Sequence, residues 1–377
     1  KLDVSLWSEM EKRKYPERVT LISNLIHDRE AIMLYSPTGV GKTWLSLSIA
    51  MMVAGKGQLE VLDWENKDPQ PVCYVDGEML EEDMQERIKM LIPSLSIDEE
   101  ELRKNFRYLS RVSQKEEIED FLSLELKENQ LELLKWLKDN SGKRKHPLLV
   151  LDNLSNLAEL GDENSSGQMQ SFNMMVTKAR KFGCSMVTVH HTGKSMTLGP
   201  DGIPTWRGSY DMATRLDKTL CLLPCQSSLD GYITFQVLEG KSRRGERINK
   251  TIQFNPFEKK WEIYDETVTE DRHQLVKELL KMGCVTKYED LKDILNRSIS
   301  SSERYLKQAI DSGSFSEHEW KEWKQKAKLD SLSKDERIKK GRKHIDLHYT
   351  ILRNDPGRNG RFIIQRNLLA EDPEEDF

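Results

Sequence analysis

The sequence predicts an α/β protein: a mostly parallel, twisted sheet flanked by helices, followed by a small, mainly helical second domain. Three observations carry this. From Ile32 to about Ile263, short apolar runs alternate with helical patterns, as expected when parallel strands are joined by crossover helices. The first of these runs leads through a glycine-rich turn straight into a helix. Around YDETVTED (264–271) the strand pattern stops, and only helical spacing follows for some fifty residues.

In order, AIMLYS, PVCYVD, HPLLVLD, CSMVTVH, KTLCLL, YITFQVL and a final TIQF/WEIYD pair supply the expected strands. WLSLSIAMMVA is the helix after the first strand, and QMQSFNMMVTKARKF is another. The charged stretch between Asp83 and Lys145, with LELLKWLKDN inside it, is expected to hold crossover helices and an insertion. The domain expectation is residues 1–268 for the α/β core, 269–315 for a helical module and 316–377 for a charged, helical, partly flexible C-terminal region. Within the module, RHQLVKELLKMG, KYEDLKDILN and SSERYLKQAIDSG predict three short helices, the last opening on a serine cap with Glu303 in capping-box position. Three such helices suit a helix-turn-helix or winged-helix module; a helical lid or oligomerisation domain fits the pattern too.

Composition sets limits on function. Net charge is −5 over 377 residues, so contact with a polyanion must be local, as at KSRRGERINK (241–250) or KKGRKH (339–344). No apolar run approaches the roughly 20 residues that span a bilayer, and the first residues lack a signal-like apolar core, so a soluble, cytoplasmic protein without membrane contact is expected. The five cysteines are scattered and read as reduced thiols, three of them in strand-like runs; Cys221 and Cys225 have no second pair at zinc-site spacing.

The chemistry begins at SPTGVGKTW (36–44). In a phosphate loop, Gly39 and Gly41 let the backbone curl around phosphate oxygens, Lys42 reaches the β- and γ-phosphates, and the Thr43 hydroxyl ligates Mg²⁺. Ser36 stands where the first glycine is usual, a position that only opens the turn. Ser36, Thr38, Gly39, Val40, Gly41, Lys42, Thr43 and Trp44 are the candidate contacts to ATP. Asp152 closes the apolar strand of HPLLVLDN, where a lone carboxylate is costly unless it faces a metal or a donor, which makes it the candidate for Mg²⁺, partly through water; capping the next turn is its alternative role. In VDGEM, Glu78 stands in the turn beyond the strand and is preferred as the base that positions water, with Asp76 competing.

The order SPTGVGKT, VDGEM, LLVLDN, TVHHTGK, RGSYDMATRLDKTLCL and KSRRG resembles the RecA-like hexameric helicase ATPases, particularly the RepA-type plasmid helicases and, more distantly, the bacterial replicative helicase. The resemblance implies a RecA-like P-loop NTPase core and a catalytic role for Glu78. It also implies a γ-phosphate sensor at His191, and a Lys241 and Arg243 that enter the neighbouring subunit's site. A loop carrying Lys241, Arg243, Arg244 and Arg247 has more cations than a hairpin needs, and guanidinium groups suit developing phosphoryl charge; a DNA-facing loop is the competing reading, for which Arg244 is the candidate. The polar segment TLGPDGIPTWRGSYD (197–211) matches the region that lines the channel in those rings, so Lys194 and Arg207 are candidate nucleic-acid contacts. His190, next to the sensor, should face the other way and pack or bond to backbone.

Together these imply an ATPase that forms a ring, expected to be a hexamer, and moves single-stranded DNA as the replicative helicase of a plasmid, phage or other mobile element. A RecA-like ATPase switch or scaffold that recruits duplex DNA or a protein through its C-terminal module is the alternative; a small-molecule kinase fits less well, for want of an obvious lid.

Overall fold

The computed structural model describes residues 4–114, 123–142, 145–158, 166–193, 198–199, 203–206, 214–225, 232–242, 247–264, 266–295, 299–311, 313–330, 332–353 and 362–366. By its contacts the chain forms two units, Lys1–Pro224 with Phe235–Phe254 and Glu258–Glu262, and Cys225–Thr234 with Asn255–Phe257 and Ile263–Phe377.

The first unit is organised by a nine-stranded sheet. Its strands in chain order are β1 Ala31–Ser36, β2 Val72–Asp76, β3 Phe106–Ser110, β4 Leu148–Asp152, β5 Ser185–His191, β6 Lys218–Pro224, β7 Ile233–Ser242, β8 Asn249–Asn255 and β9 Lys260–Ile263. Their spatial order is β9-β8-β7-β6-β1-β5-β4-β2-β3. From β6 through β1, β5, β4 and β2 to β3 every pairing is parallel, whereas β7 runs antiparallel to β6. The helices are α1 Lys42–Gly55, α2 Glu81–Leu91, α3 Glu99–Asn105, α4 Lys127–Asp139, the single turn α5 Leu154–Leu157 and α6 Ser166–Lys181. This is the mostly parallel, helix-covered α/β sheet that the sequence predicts, with a glycine-rich turn after its first strand.

Continuous apolar runs make the central strands: every residue of β1, β2 and β4 is buried, because helices cover both faces. Helix α1 is apolar on all sides and buried from Leu45 to Gly55, as a helix must be when it lies under the sheet rather than on the surface. On one face, Leu134 and Leu137 of α4 with Met175 and Val176 of α6 pack into a cluster with Val75 and Leu151. One element departs from expectation: within the segment read as helices and insertion, Phe106–Ser110 forms the edge strand β3 beside β2. Its polar residues leave it only partly buried, and that breaks the apolar run by which the other strands are recognised.

The parallel register brings strand ends into one row. Ser36 is opposite His191, Leu151 opposite Thr188, and Asp76 is flanked by Asp152 and Ser110. The strand carrying Asp152 is separated from the phosphate-loop strand by the strand of His191, so all three converge at the carboxyl edge, where α/β sheets bind ligands. All five cysteines are free thiols, four of them buried. Among the described residues no helix is long and apolar enough to cross a membrane.

The second unit holds α7 Glu266–Lys281, α8 Tyr288–Leu295, α9 Ile299–Asp311, α10 Glu317–Leu329, α11 Lys334–His348 and an antiparallel hairpin of β10 Tyr349–Arg353 and β11 Phe362–Arg366. Leu279 of α7, Leu291 of α8 and Leu306 of α9 share a core with Ile345 of α11, and Trp320 and Trp323 of α10 pack against it. Segments 269–315 and 316–377 thus contribute to one core. The winged-helix order puts a hairpin directly after the third helix; here two helices intervene. Helix α9 begins at Ile299, so the serines expected to cap it lie in its first turn. Capping boxes occur instead at Ser316/Glu319 and Ser333/Glu336, where each serine accepts from the N3 amide and each glutamate accepts from the cap N–H.

Candidate nucleotide site

The phosphate loop leaves β1 at Ser36 and enters α1 at Lys42. Gly39 and Gly41 have φ of 81° and 124°, where a side chain is strained, so glycine is required for the backbone to turn its N–H groups inward ahead of the helix N-terminus. Lys42 Nζ donates to Ser36 O (3.2 Å), Ser36 Oγ (3.2 Å) and Pro37 O (3.0 Å). The serine in the usual glycine position is therefore fully buried and supplies a further oxygen to the lysine. Burial pushes the Lys42 ammonium down to about 8, against the opposing pull of Asp152 and then Glu78.

Asp152, at the end of β4, is buried, and burial raises its carboxyl pKa; hydrogen bonds from Tyr74 and Thr43, and the Lys42 charge, act the other way. Tyr74 of β2 donates to Asp152 Oδ2 at 2.6 Å, and Ser46 Oγ of α1 stands 3.4 Å from the same oxygen and 2.9 Å from the tyrosine hydroxyl. A buried carboxylate beside the Thr43 hydroxyl and the lysine fits the hard-oxygen chemistry of a magnesium nucleotide, with Thr43 and Asp152 as the groups that would hold the ion. Bound there, Mg²⁺ neutralises phosphate charge.

The two acids of VDGEM separate. Asp76 Oδ1 accepts the backbone N–H groups of Glu78 (2.7 Å) and Met79 (2.8 Å), so this carboxylate fixes the turn. Burial lifts its pKa to about 6 in spite of those two bonds. Glu78 is exposed beyond it, and its Oε2 accepts from Asn153 Nδ2 and Asn156 Nδ2, each at 3.1 Å. Asn153 also caps α5 through the Asn156 N–H, and Arg111 reaches the Asn156 carbonyl. The turns after β2 and β4 are thereby tied through the glutamate.

His191 Nδ1 lies 3.3 Å from Lys42 Nζ. A lysine ammonium can only donate and has three protons for these four neighbours, so where one of them goes to His191 the Nδ1 is its acceptor. The next residue, Thr192, bridges to Trp206, Gly193 N donates to Thr205 O at 3.1 Å, and the Trp206 ring meets Tyr35 of β1 edge-on at 5.5 Å. The strand of His191 is in this way joined to Thr205 and Trp206. His190 is fully buried, with its Nδ1 3.4 Å from Ser155 Oγ. Trp44 stacks on Phe254 of β8 at 5.0 Å, with the Arg87 guanidinium 5.2 Å from its ring. Thr38 and Gly39 are exposed, and Val40 is half-buried.

Lys241 lies on β7, its N–H donating to Thr219 Oγ1 at 2.8 Å. Ser242 is level with Lys218, and Lys218 with Ile32, at the amino end of β1. The phosphate loop begins at the other end of β1, about 13 Å along the strand. The backbone of Lys241 thus lies toward the amino end of β1 rather than at Ser36, where the phosphate loop begins. Lys194, Arg207, Arg243 and Arg244 lie outside the described residues.

Tyr74, Ser46, Asn153 and Asn156 were not singled out from the sequence. Asn153 stood inside the LDN motif, and polar residues directly after a strand that ends in a carboxylate were the available signal. Tyr74 and Ser46 gave none, since their meeting with Asp152 depends on strand order.

A family model for an AAA domain, AAA_25, matches residues 2–196, just over half of the chain, which contain Lys42, Glu78, Asp152 and His191. Among solved structures, a KaiC-like protein from the hyperthermophilic archaeon Pyrococcus horikoshii OT3 is 16% identical, over 65% of this chain and 94% of its own, with a TM-score of 0.41. A second solved structure, of an ATPase domain, is also 16% identical, over 63% of this chain and 85% of its own, with a TM-score of 0.44. No curated protein matches the sequence.

Proposed function

Since the chain belongs to the AAA domain family AAA_25, we propose that it hydrolyses ATP and works as a ring-forming motor on single-stranded DNA, the replicative helicase of a plasmid, phage or other mobile element. The observation that carries hydrolysis is the convergence of Lys42, Asp152 and Glu78 at one sheet edge, with His191 against the lysine. Lys42 balances phosphate charge. Glu78, steadied by two amides, orients the attacking water and takes its proton. His191 reads the γ-phosphate through Nε2 and passes its loss into the 197–211 loop, where Lys194 and Arg207 touch the strand.

The direction of β7 supports a ring. Lys241 stands on β7 toward the amino end of β1, so in this reading Lys241 and Arg243 serve a neighbour's site and complete catalysis only on assembly, while Arg244 meets nucleic acid. Mixing Lys42→Ala with Arg243→Ala subunits tests this: mixed rings should regain hydrolysis that neither variant has alone, and no recovery, or a monomer by mass photometry with ATP, would refute the trans arrangement. Hydrolysis unaffected by single-stranded DNA, with no unwinding of a forked duplex, would remove the helicase reading and leave the ATPase.

A second reading rests on the separate core of the C-terminal unit. In it the ATPase is a switch, and that unit recruits duplex DNA or a protein for replication initiation, regulation or defence. Removing residues after 268 separates the two: loss of duplex binding with unwinding intact favours an appended recognition unit.

A further inference from the structure

We infer that Tyr74 is a positioning residue for the magnesium site, holding Asp152 through its Oδ2 oxygen and so fixing the carboxylate that would hold the cation. The inference rests on the reading of Asp152 as the metal-facing acid and extends it to a residue on a different strand.

The geometry is specific. Tyr74 lies two residues before the end of β2, fully buried, directly opposite Val150 of β4. From there its hydroxyl reaches past one residue of the neighbouring strand to Asp152 Oδ2 at 2.6 Å, the length of a charge-assisted bond. A tyrosine has one proton to give. With that proton on Asp152, the phenol oxygen can only accept from Ser46 Oγ, 2.9 Å away, whose one proton also has Asp152 Oδ2 at 3.4 Å and the Thr43 carbonyl at 3.2 Å in reach. The carboxylate thus meets hydroxyls from two elements, Tyr74 on β2 and Thr43 and Ser46 on α1, the helix that also carries Lys42.

Packing does not need the hydroxyl. The Tyr74 ring lies between those of Phe106 and Tyr108, at 6.3 and 6.4 Å, and phenylalanine would keep both contacts. What phenylalanine loses is the one strong donor to Oδ2, leaving a buried carboxylate to rotate or to seek other donors. Outer partners that orient metal ligands typically change metal affinity by about 10- to 100-fold. The arrangement therefore links magnesium affinity to a side chain that touches neither metal nor nucleotide.

The test is the Mg²⁺ dependence of binding of a fluorescent ATP analogue to the full chain. Tyr74→Phe should leave affinity in EDTA within about twofold while raising the Mg²⁺ needed for half-maximal enhancement about tenfold. Hydrolysis should return to near wild-type kcat at saturating Mg²⁺, which a general packing defect would not allow. In an Asp152→Asn background the tyrosine change should add nothing. Ser46→Ala, which removes the second hydroxyl, should give a smaller shift of the same kind, and it carries the test should Tyr74→Phe fold poorly. If Asp152→Asn shifts the Mg²⁺ dependence and neither hydroxyl variant does, the positioning role is wrong and the metal reading stands. If Asp152→Asn itself shifts nothing, the metal reading fails and the inference falls with it.

Discussion

Lys42 makes the nucleotide site unstable by design, and the instability has a pH signature. Lys42 is only 7% exposed, and its pKa is lowered from 10.5 to about 8, chiefly by burial. The sign follows from proton counting. Between pH 8 and 10.5 the unfolded chain holds this proton and the folded chain does not, so stability rises with pH across that window. The full difference is about 3 kcal/mol, of which about 2 falls between pH 7.5 and 9.5. Lys42→Met keeps the apolar stem and removes the titration. In urea titrations of nucleotide-free protein, wild type should gain about 2 kcal/mol on the methionine variant between those two pH values. Bound triphosphate supplies the missing counter-charge and should flatten the slope, and nucleotide affinity should weaken as pH passes 8. A wild-type-minus-variant difference that is level from pH 7.5 to 9.5 would refute the claim that a desolvated charge sits at this position.

Other outcomes follow from the same edge of the sheet. His191→Ala should keep nucleotide affinity within a few fold but abolish the response of single-stranded DNA binding to nucleotide; equal loss of both would count against a sensor. Asp76, raised to about 6 by burial, makes the folded chain bind more protons than the unfolded chain between about pH 4 and 6, so stability falls across that window. Asp76→Asn, whose amide oxygen can still accept the Glu78 and Met79 N–H groups, should therefore gain about 2 kcal/mol on wild type between pH 4 and pH 7, as read from thermal melts. Asn156→Ala removes one of the two amides on Glu78, and kcat should fall about tenfold with KM unchanged, the worth of one bond to a charged group; a change in KM alone would assign the amide to binding instead.

Where the fold could be read from the sequence, backbone and burial agreed. The runs AIMLYS, LLVLD and VCYVD are buried on both faces and leave no other reading, and the glycines of GVGKT are needed where φ is positive. Strand β3 escaped because Arg107 and its half-exposed neighbours at a sheet edge carry no apolar run. The two acids of VDGEM could be told apart in part, by strand alternation; the reason for the difference, two backbone amides on Asp76 and two side-chain amides on Glu78, belongs to tertiary structure. So does the Tyr74–Asp152 bond, which exists only because β2 and β4 are neighbours despite the 71 residues between their ends, Asp76 and Leu148.

The most direct test of the account is phosphate release from ATP by wild type and Glu78→Gln, at protein concentrations that assemble and with single-stranded DNA present. Wild type should turn over, and the glutamine variant, which keeps the shape and the amide contacts but cannot take a proton, should be slower by a hundredfold or more, with nucleotide affinity within a few fold, in line with the roughly 10²–10⁴ that a positioned base contributes. A wild type that binds ATP and never hydrolyses it, or a glutamine variant as fast as wild type, would contradict the assignment of this sheet edge as a hydrolytic site.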